Sequence, residues 1–295
     1  MKEKSQQNQT KDYFDRNSSN WKSKAKNVKS INVIKQRNDF VLNNCKKYLK
    51  KNAKTLDIGC GTGDLVFSQL KQGYDSFGID FAPSMIKKAT SYAKKKNIDP
   101  NRFFLDSIFD FKPIQKFDLI SANGFIEYIS EKELKLFIKK CKKWLTINGI
   151  LILGSRNRLF NIFSFNEFTK IEIKNNNLKP LIDECVFFNS IKQTDSFSSK
   201  KNSTTKIKNL KKHPFTGIGV KTRLQYSPLQ LISYLQSNSM TVLKLEPINI
   251  HVFTTGARKL KPTLHDYISN KIQSESKINL QLLPQASSFM IAIRI

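Results

Sequence analysis

The run Leu56-Asp57-Ile58-Gly59-Cys60-Gly61-Thr62-Gly63-Asp64 carries the clearest chemical signal in this chain. Three glycines at alternate positions, directly after an apolar stretch, let the backbone turn sharply and come close to a ligand. Such a loop suits a nucleotide-type cofactor. A dinucleotide fingerprint, G-x-G-x-x-G, needs a glycine at position 64, where this chain has Asp64. The spacing is G-x-G-x-G instead. Two acids accompany it: Asp57 stands two residues before the first glycine, and Asp80 closes the next apolar run, Gly78-Ile79-Asp80. A carboxylate at the end of an apolar strand is costly to bury alone, which makes both acids candidates for ligand or capping roles.

The elements that must position these groups alternate. Strand-like runs fall at 55–59, 76–80, 102–106, 117–122 and 149–155, with helical patterns near 63–72, 84–96 and 130–145. Repeated strand and helix units predict a parallel sheet covered on both faces. The helix after Ile129 shows the local logic: Ser130 and Glu133 form a capping box, and Leu134, Phe137, Ile138, Cys141 and Leu145 recur at helical spacing. Its lysines fall largely on the opposite, solvated face. An amphipathic helix is expected within 30–49, ahead of the first strand. Residues 1–29 read as a flexible segment, yet Tyr13, Phe14 and Trp21 sit among charges and suggest a lid that folds over something.

The alternation stops between Arg156 and Gln225, a stretch too long for a structureless loop and therefore expected to be a cap with its own small core, with a mobile segment around 196–212. It resumes at Ser227-Pro228, an N-cap followed by proline at the first helical position. Strands at 241–245 and 288–295 complete the count. The domain plan is thus a flexible 1–29, a cofactor-binding core over 30–155, a cap insertion over 156–225, and the end of the core over 226–295 with a second insertion at 247–287.

The motif pair and the order of elements resemble class I S-adenosylmethionine-dependent methyltransferases, in particular the ubiquinone-biosynthesis-like small-molecule group. The resemblance covers residues 30–155 and 225–295, and its specific part is the glycine loop with its two acids. It implies a Rossmann-like α/β fold, a seven-stranded sheet with the last strand antiparallel, helices on both faces and S-adenosylmethionine as cofactor. By position it implies cofactor contacts from Asp57, Gly59, Cys60, Gly61, Gly63, Asp80, Phe81, Met85, Asp106, Ser107 and Asn123. Asp80 would take the ribose hydroxyls, Met85 would lie along the adenine, and Asp106 would bond its amino group. The family's usual proline-glycine-glycine turn before the fifth strand is reduced here to Gly149.

Methyl transfer from a sulfonium is a direct displacement in which positioning supplies most of the acceleration. An acceptor with a high pKa adds the need for a general base, for which His213, His251, His265 and Glu127 are candidates, with His251 and Glu127 foremost. No metal is expected. Arg156 and Arg158, after the fifth strand, and Lys221 with Arg223 would favour an acidic small-molecule acceptor. The leading expectation is O-methylation of a small molecule. The alternatives are an RNA or protein acceptor and a non-catalytic binding protein on the same fold. The absence of an Asn-Pro-Pro-Tyr-type tetrapeptide after the fourth strand argues against adenine-N6 or glutamine methylation.

The formal net charge of +28 invites a nucleic-acid reading. Its distribution weakens that reading. Residues 55–130 hold nine basic and nine acidic residues, whereas 1–54 hold 15 against four and 196–245 hold nine against none. Only eight of the 51 basic residues are arginine, the residue that phosphate and base-edge recognition favours. Abundant lysine and asparagine together are also what an AT-rich coding sequence produces. The cysteines Cys45, Cys60, Cys141 and Cys185 form no C-x-x-C pair, which excludes the usual zinc and disulfide frameworks and suggests reduced thiols and a cytoplasmic location. No apolar run approaches the roughly 20 residues of a membrane span.

Overall fold

The computed structural model describes residues 6–25, 31–190, 224–275 and 279–295, with the side chains of 19–25 and 275 left aside. Seven strands form one sheet: β1 (Lys54–Ile58), β2 (Asp75–Asp80), β3 (Phe103–Leu105), β4 (Phe117–Ala122), β5 (Leu145–Arg156), β6 (Thr241–Ile250) and β7 (Ala286–Arg294). Their order is β3-β2-β1-β4-β5-β7-β6. The first five strands pair in parallel, and β7 runs antiparallel to both its neighbours. Strand order reverses between β1 and β4, and in an open α/β sheet that is where a crevice forms beyond the carboxyl ends of the strands. Central strands are buried on both faces, as the near-continuous apolar run Phe117–Ala122 requires.

Helices α2 (Val33–Tyr48), α3 (Asp64–Lys71), α4 (Pro83–Lys95) and α5 (Glu131–Trp144) cover the sheet. The α5 capping box is present, and Leu134, Phe137, Ile138, Cys141 and Trp144 form its buried stripe. Each such side chain contributes about 2 kcal/mol of burial. Leu145, read from sequence as part of that stripe, is the first residue of β5. The four cysteines are buried and unpaired.

The segment expected to be flexible, 1–29, is described over residues 6–25. They form helix α1 (Gln6–Ala25), which lies across the sheet's carboxyl edge. Gln6 Nε2 donates to the Tyr128 carbonyl (2.8 Å), and the Phe14 and Tyr128 rings meet edge to face at 5.3 Å. Asp15 Oδ1 accepts from the backbone amide of Ser84 at 2.7 Å. This carboxylate therefore caps α4, whose own N-cap residue, Ala82, has no side chain able to do so. The Ser84 amide and hydroxyl hold the Asp15 carboxyl below the usual carboxylate range. The Trp21 side chain lies outside the described residues.

The cap after β5 begins with α6 (Phe160–Ser164), α7 (Glu167–Lys174) and α8 (Leu178–Ser190). Among its described residues, Leu181, Cys185 and Phe188 join the same apolar cluster as Leu153, Phe289 and Leu283. The 196–212 segment, His213, Lys221 and Arg223 lie outside the described residues. Beyond α9 (Pro228–Ser237), β6 continues through Pro247 to Ile250, so the second excursion starts four residues later than the sequence pattern implies. It consists of α10 (Thr255–Leu260) and α11 (Pro262–Glu275), followed by a 3-10 turn at Leu280–Gln285.

Arg158 and Glu172 form a bidentate pair at 2.7 and 2.8 Å, with the side chains 1% and 0% exposed. Asn161 and Asn177 donate to the same carboxylate at 2.9 and 3.0 Å. Removing one partner strands a buried charge. Glu172→Gln is therefore expected to lower the unfolding free energy by about 3 kcal/mol in a denaturant titration. A loss under about 1 kcal/mol would contradict this reading of the pair.

Candidate active site

A cavity of about 200 Å³ lies at the carboxyl edge of β1, β2 and β4. Its floor is the loop after β1. Gly59 and Gly61 have φ of +71° and +53°, and a Cβ built at either would meet nothing closer than 3.9 Å. The loop thus turns an open concave side to the cavity. Gly63 behaves differently: a Cβ there would stand 2.6 Å from the Phe103 ring, and the residue does not line the cavity. Its role is to let α3 start against β3, not to face a ligand. The sequence places it among the cofactor contacts because spacing alone cannot separate a glycine that faces a ligand from one that faces a side chain.

Of the other residues assigned to cofactor contacts, Asp57, Gly59, Cys60, Gly61, Asp80, Phe81, Met85, Asp106, Ser107 and Asn123 all line this cavity. Asp80 is the organising group. Its Oδ2 accepts from the Gly61 amide and its Oδ1 from the Ala82 amide, both at 2.9 Å, and a carboxylate with four lone-pair sites keeps acceptor capacity for a ligand hydroxyl. Asp57 Oδ1 accepts from Ser121 Oγ at 2.7 Å, which ties β1 to β4. Burial pushes the Asp57 carboxyl up to about 7, helped by the neighbouring charge of Asp80. Burial likewise raises Asp80 to about 6 against the pull of its amide donors. At the end of β4, Asn123 Oδ1 is buried with no hydrogen-bond partner, while its Nδ2 reaches Asn38 Oδ1 at 3.4 Å.

Beyond Asn123 the cavity continues to Glu127, in the 3-10 turn Ile126–Tyr128. Its side chain is 1% exposed, and Oε1 lies 4.0 Å from Arg37 Nη1. Arg37 Nη2 in turn donates to Ser288 Oγ on β7 at 2.9 Å. Gln7, Thr10 and Phe14 of α1, with Ile34, Arg37 and Asn38 of α2, close the remaining wall. Sequence reasoning missed Arg37 and Asn38. Both sit in a lysine- and asparagine-rich helix whose polar residues read as a solvated face, and only the fold shows that this face meets β4.

Three sequence-based placements are corrected. His251 does not line the cavity, because it follows β6, an edge strand, with β7, β5 and β4 between it and the strand that leads into the glycine loop. It packs on the Phe160 ring, 4.8 Å between centroids, with Nδ1 3.2 Å from His265 Nε2 and from Arg258 Nη1. Burial and the adjacent Arg258 charge drive it down to about 3, so it is held neutral. His265, fully buried in the same cluster, is equally remote from the cavity. Arg156 and Arg158 are absent from the lining as well: Arg158 is engaged by Glu172, and the Arg156 guanidinium lies over the Phe168 ring at 5.4 Å.

Comparison with known proteins bears on this geometry. The model of the methyltransferase domain family matches residues 49–213, more than half of the chain. The chain belongs to the class I S-adenosylmethionine-dependent methyltransferases. It is similar to the ubiquinone biosynthesis O-methyltransferase of Pelagibacter ubique, 33% identical over 134 residues, which cover 45% of this chain and 53% of that one. The protein of the same name from Rhodopseudomonas palustris is 28% identical over 129 residues, 41% of this chain and 49% of its own. The chain thus spans about half the length of the curated relatives it matches. The fold is shared with magnesium protoporphyrin IX methyltransferase of Synechocystis PCC 6803 with bound SAH. That likeness has a TM-score of 0.56 at 12% identity and covers 98% of this chain and 99% of the other.

The family's cofactor is S-adenosylmethionine, and the residues present fit it. The glycine loop leaves an open cradle, Asp80 retains acceptor capacity, and Asn123 Oδ1 is a buried acceptor that lacks a donor among the described residues. Asp57 and Asp80 are protonated more readily in the fold than in the unfolded chain. Each therefore adds most stability below pH ~4 and withdraws it as pH rises toward the raised value. Ligand hydroxyls that donate to Asp80 favour its ionised form. Affinity for S-adenosylhomocysteine is accordingly expected to tighten as pH rises from about 5 through 6 to 7.5, measured by calorimetric titration, and to level off above. Affinity flat across that range would contradict the role given to Asp80.

Proposed function

We propose that this chain methylates a hydroxyl oxygen of a small molecule, and that Glu127 is the base that takes the hydroxyl proton. The observation that carries this reading is the continuity of the cavity from the glycine loop, past Asn123, to a buried carboxylate. S-adenosylmethionine, when bound, supplies a sulfonium methyl group open to in-line displacement. The contacts assigned to Asp57, Gly59, Cys60, Gly61, Asp80, Phe81, Met85, Asp106, Ser107 and Asn123 hold and orient it in this reading. Glu127 Oε1 accepts the proton of the attacking hydroxyl, and the Arg37 guanidinium, 4.0 Å away, aims that carboxylate. Phe14, Phe125 and Tyr128 provide apolar walls that exclude water from the transfer. The names of the curated relatives, ubiquinone biosynthesis O-methyltransferases, support oxygen as the acceptor atom.

The charge balance of the lining favours a neutral acceptor. Among the described residues of the lining, the carboxyl groups of Asp57, Asp64, Asp80, Asp106 and Glu127 face one guanidinium, that of Arg37. An acceptor bearing its own carboxylate would meet net repulsion there, and Arg156 and Arg158, two of the basic residues from which an acidic acceptor was expected, are engaged elsewhere. Turnover is tested by following S-adenosylhomocysteine release over a panel of neutral hydroxylated, carboxylated and amine-bearing small molecules, with RNA and protein substrates alongside. The expected result is turnover of a neutral hydroxyl compound, with kcat lowered about 100-fold or more in Glu127→Gln and cofactor affinity kept. Turnover confined to amines or macromolecules, or a Glu127→Gln enzyme with unchanged kcat, would overturn the proposal.

A further inference from the structure

Helix α11 buries a polar stripe. The residues it turns inward at helical spacing are polar: His265, Ser269 and Gln273 are 0%, 1% and 6% exposed. They are bonded to the sheet side of the fold, Gln273 Nε2 to the Pro247 carbonyl at 2.9 Å and the Ile250 amide to Gln273 Oε1 at 3.1 Å, while His265 meets His251. Ile268 and Ile272 are half-buried, whereas two of its apolar side chains are exposed. Leu264 is 49% and Tyr267 64% exposed, and Leu260 at the end of α10 is 80% exposed. Leu264 and Tyr267 are i, i+3 neighbours on α11, and Leu260 stands just before them across the break at Lys261. All nine residues from Gly256 to Leu264 are exposed, so this corner projects from the body of the protein.

Basic residues surround the apolar side chains: Arg258, Lys259 and Lys261 lie in the projecting corner and Lys271 on the exposed side of α11. The local acid, Asp266, is engaged by His265 Nδ1 at 3.0 Å. An exposed apolar face with a cationic rim suits the interface of an anionic bilayer, where leucine and tyrosine enter the headgroup boundary and lysines pair with phosphates. A second copy of the chain suits it poorly, because a two-fold contact would set this basic rim against itself. Strand β6 runs parallel to β5, so Ile250 ends at the same sheet edge as Arg156 and the carboxyl end of β4. A surface docked at α10 and α11 would therefore face the edge of the sheet on which the cavity lies.

We infer that the α10–α11 corner is a peripheral docking site for anionic membrane surface, with Leu260, Leu264 and Tyr267 as the inserting residues and Lys259 and Lys261 as headgroup contacts. Charge alone would draw so basic a chain to any anionic surface, so the deciding change leaves charge untouched. The full chain is sedimented with vesicles of phosphatidylcholine containing 30 mole per cent phosphatidylglycerol, about a physiological anionic fraction. It is expected to bind, and Leu260→Ser, Leu264→Ser and Tyr267→Ser combined should weaken partitioning about tenfold or more with an unchanged melting temperature. Ile114→Ser, at a fully exposed apolar residue elsewhere, should bind as the unaltered chain does. Absence of vesicle binding overturns the proposal. Equal partitioning of the triple variant and the unaltered chain overturns it too, as does self-association that requires these three residues without vesicle binding.

Discussion

Two carboxyl groups, Asp57 and Asp80, are buried at the ends of adjacent parallel strands, and much of the site's construction answers that constraint. Neither position would be tolerable for an unpartnered carboxylate, since desolvation penalises the charged form heavily. The chain supplies Ser121 to one and the Gly61 and Ala82 amides to the other. Those donors only partly offset burial, and both carboxyls stay raised to about 7 and about 6. The glycine loop bends as it does partly because the Gly61 amide must reach Asp80, which ties the ends of β1 and β2 into one unit. A site of this kind is stabilised further by a ligand that brings donors of its own.

The wall opposite comes from outside the sheet. Helix α1 reaches α4 through Asp15 and the 3-10 turn after β4 through Gln6 and Phe14. It supplies at once an N-cap that α4 lacks and a wall of the cavity. Helix α2 brings Arg37 between Glu127 and Ser288, so a strand that takes no part in the cofactor loop still bears on the orientation of the proposed base. Fold and site are therefore coupled: the elements that shield the cavity are the ones whose polar groups complete its neighbours.

The sheet and the loop were legible because both rest on local signals. Alternating apolar runs and capping residues announce α5 and α9, and Gly59 and Gly61 with Asp57 and Asp80 announce the loop. What depended on tertiary placement was not legible. His251 seemed well placed because it follows a core strand, yet strand order puts β6 at the outer edge. Arg158 read as a ligand for an acidic acceptor, and a glutamate fourteen positions further on engages it. Helix α1 lacked a strong apolar period because its partners are hydrogen-bond acceptors and donors of the core as much as its apolar surface. Arg37 was hidden among lysines on a face that composition marks as solvated.

The central claim is that the cradle between Gly59 and Asp80 holds S-adenosylmethionine. Calorimetric titration of the protein with S-adenosylhomocysteine, with NADH in parallel, tests it most directly. The account predicts saturable binding of S-adenosylhomocysteine alone, abolished in Asp80→Ala while the variant's circular dichroism stays native. Binding of NADH instead, or full affinity retained in a folded Asp80→Ala protein, would contradict it.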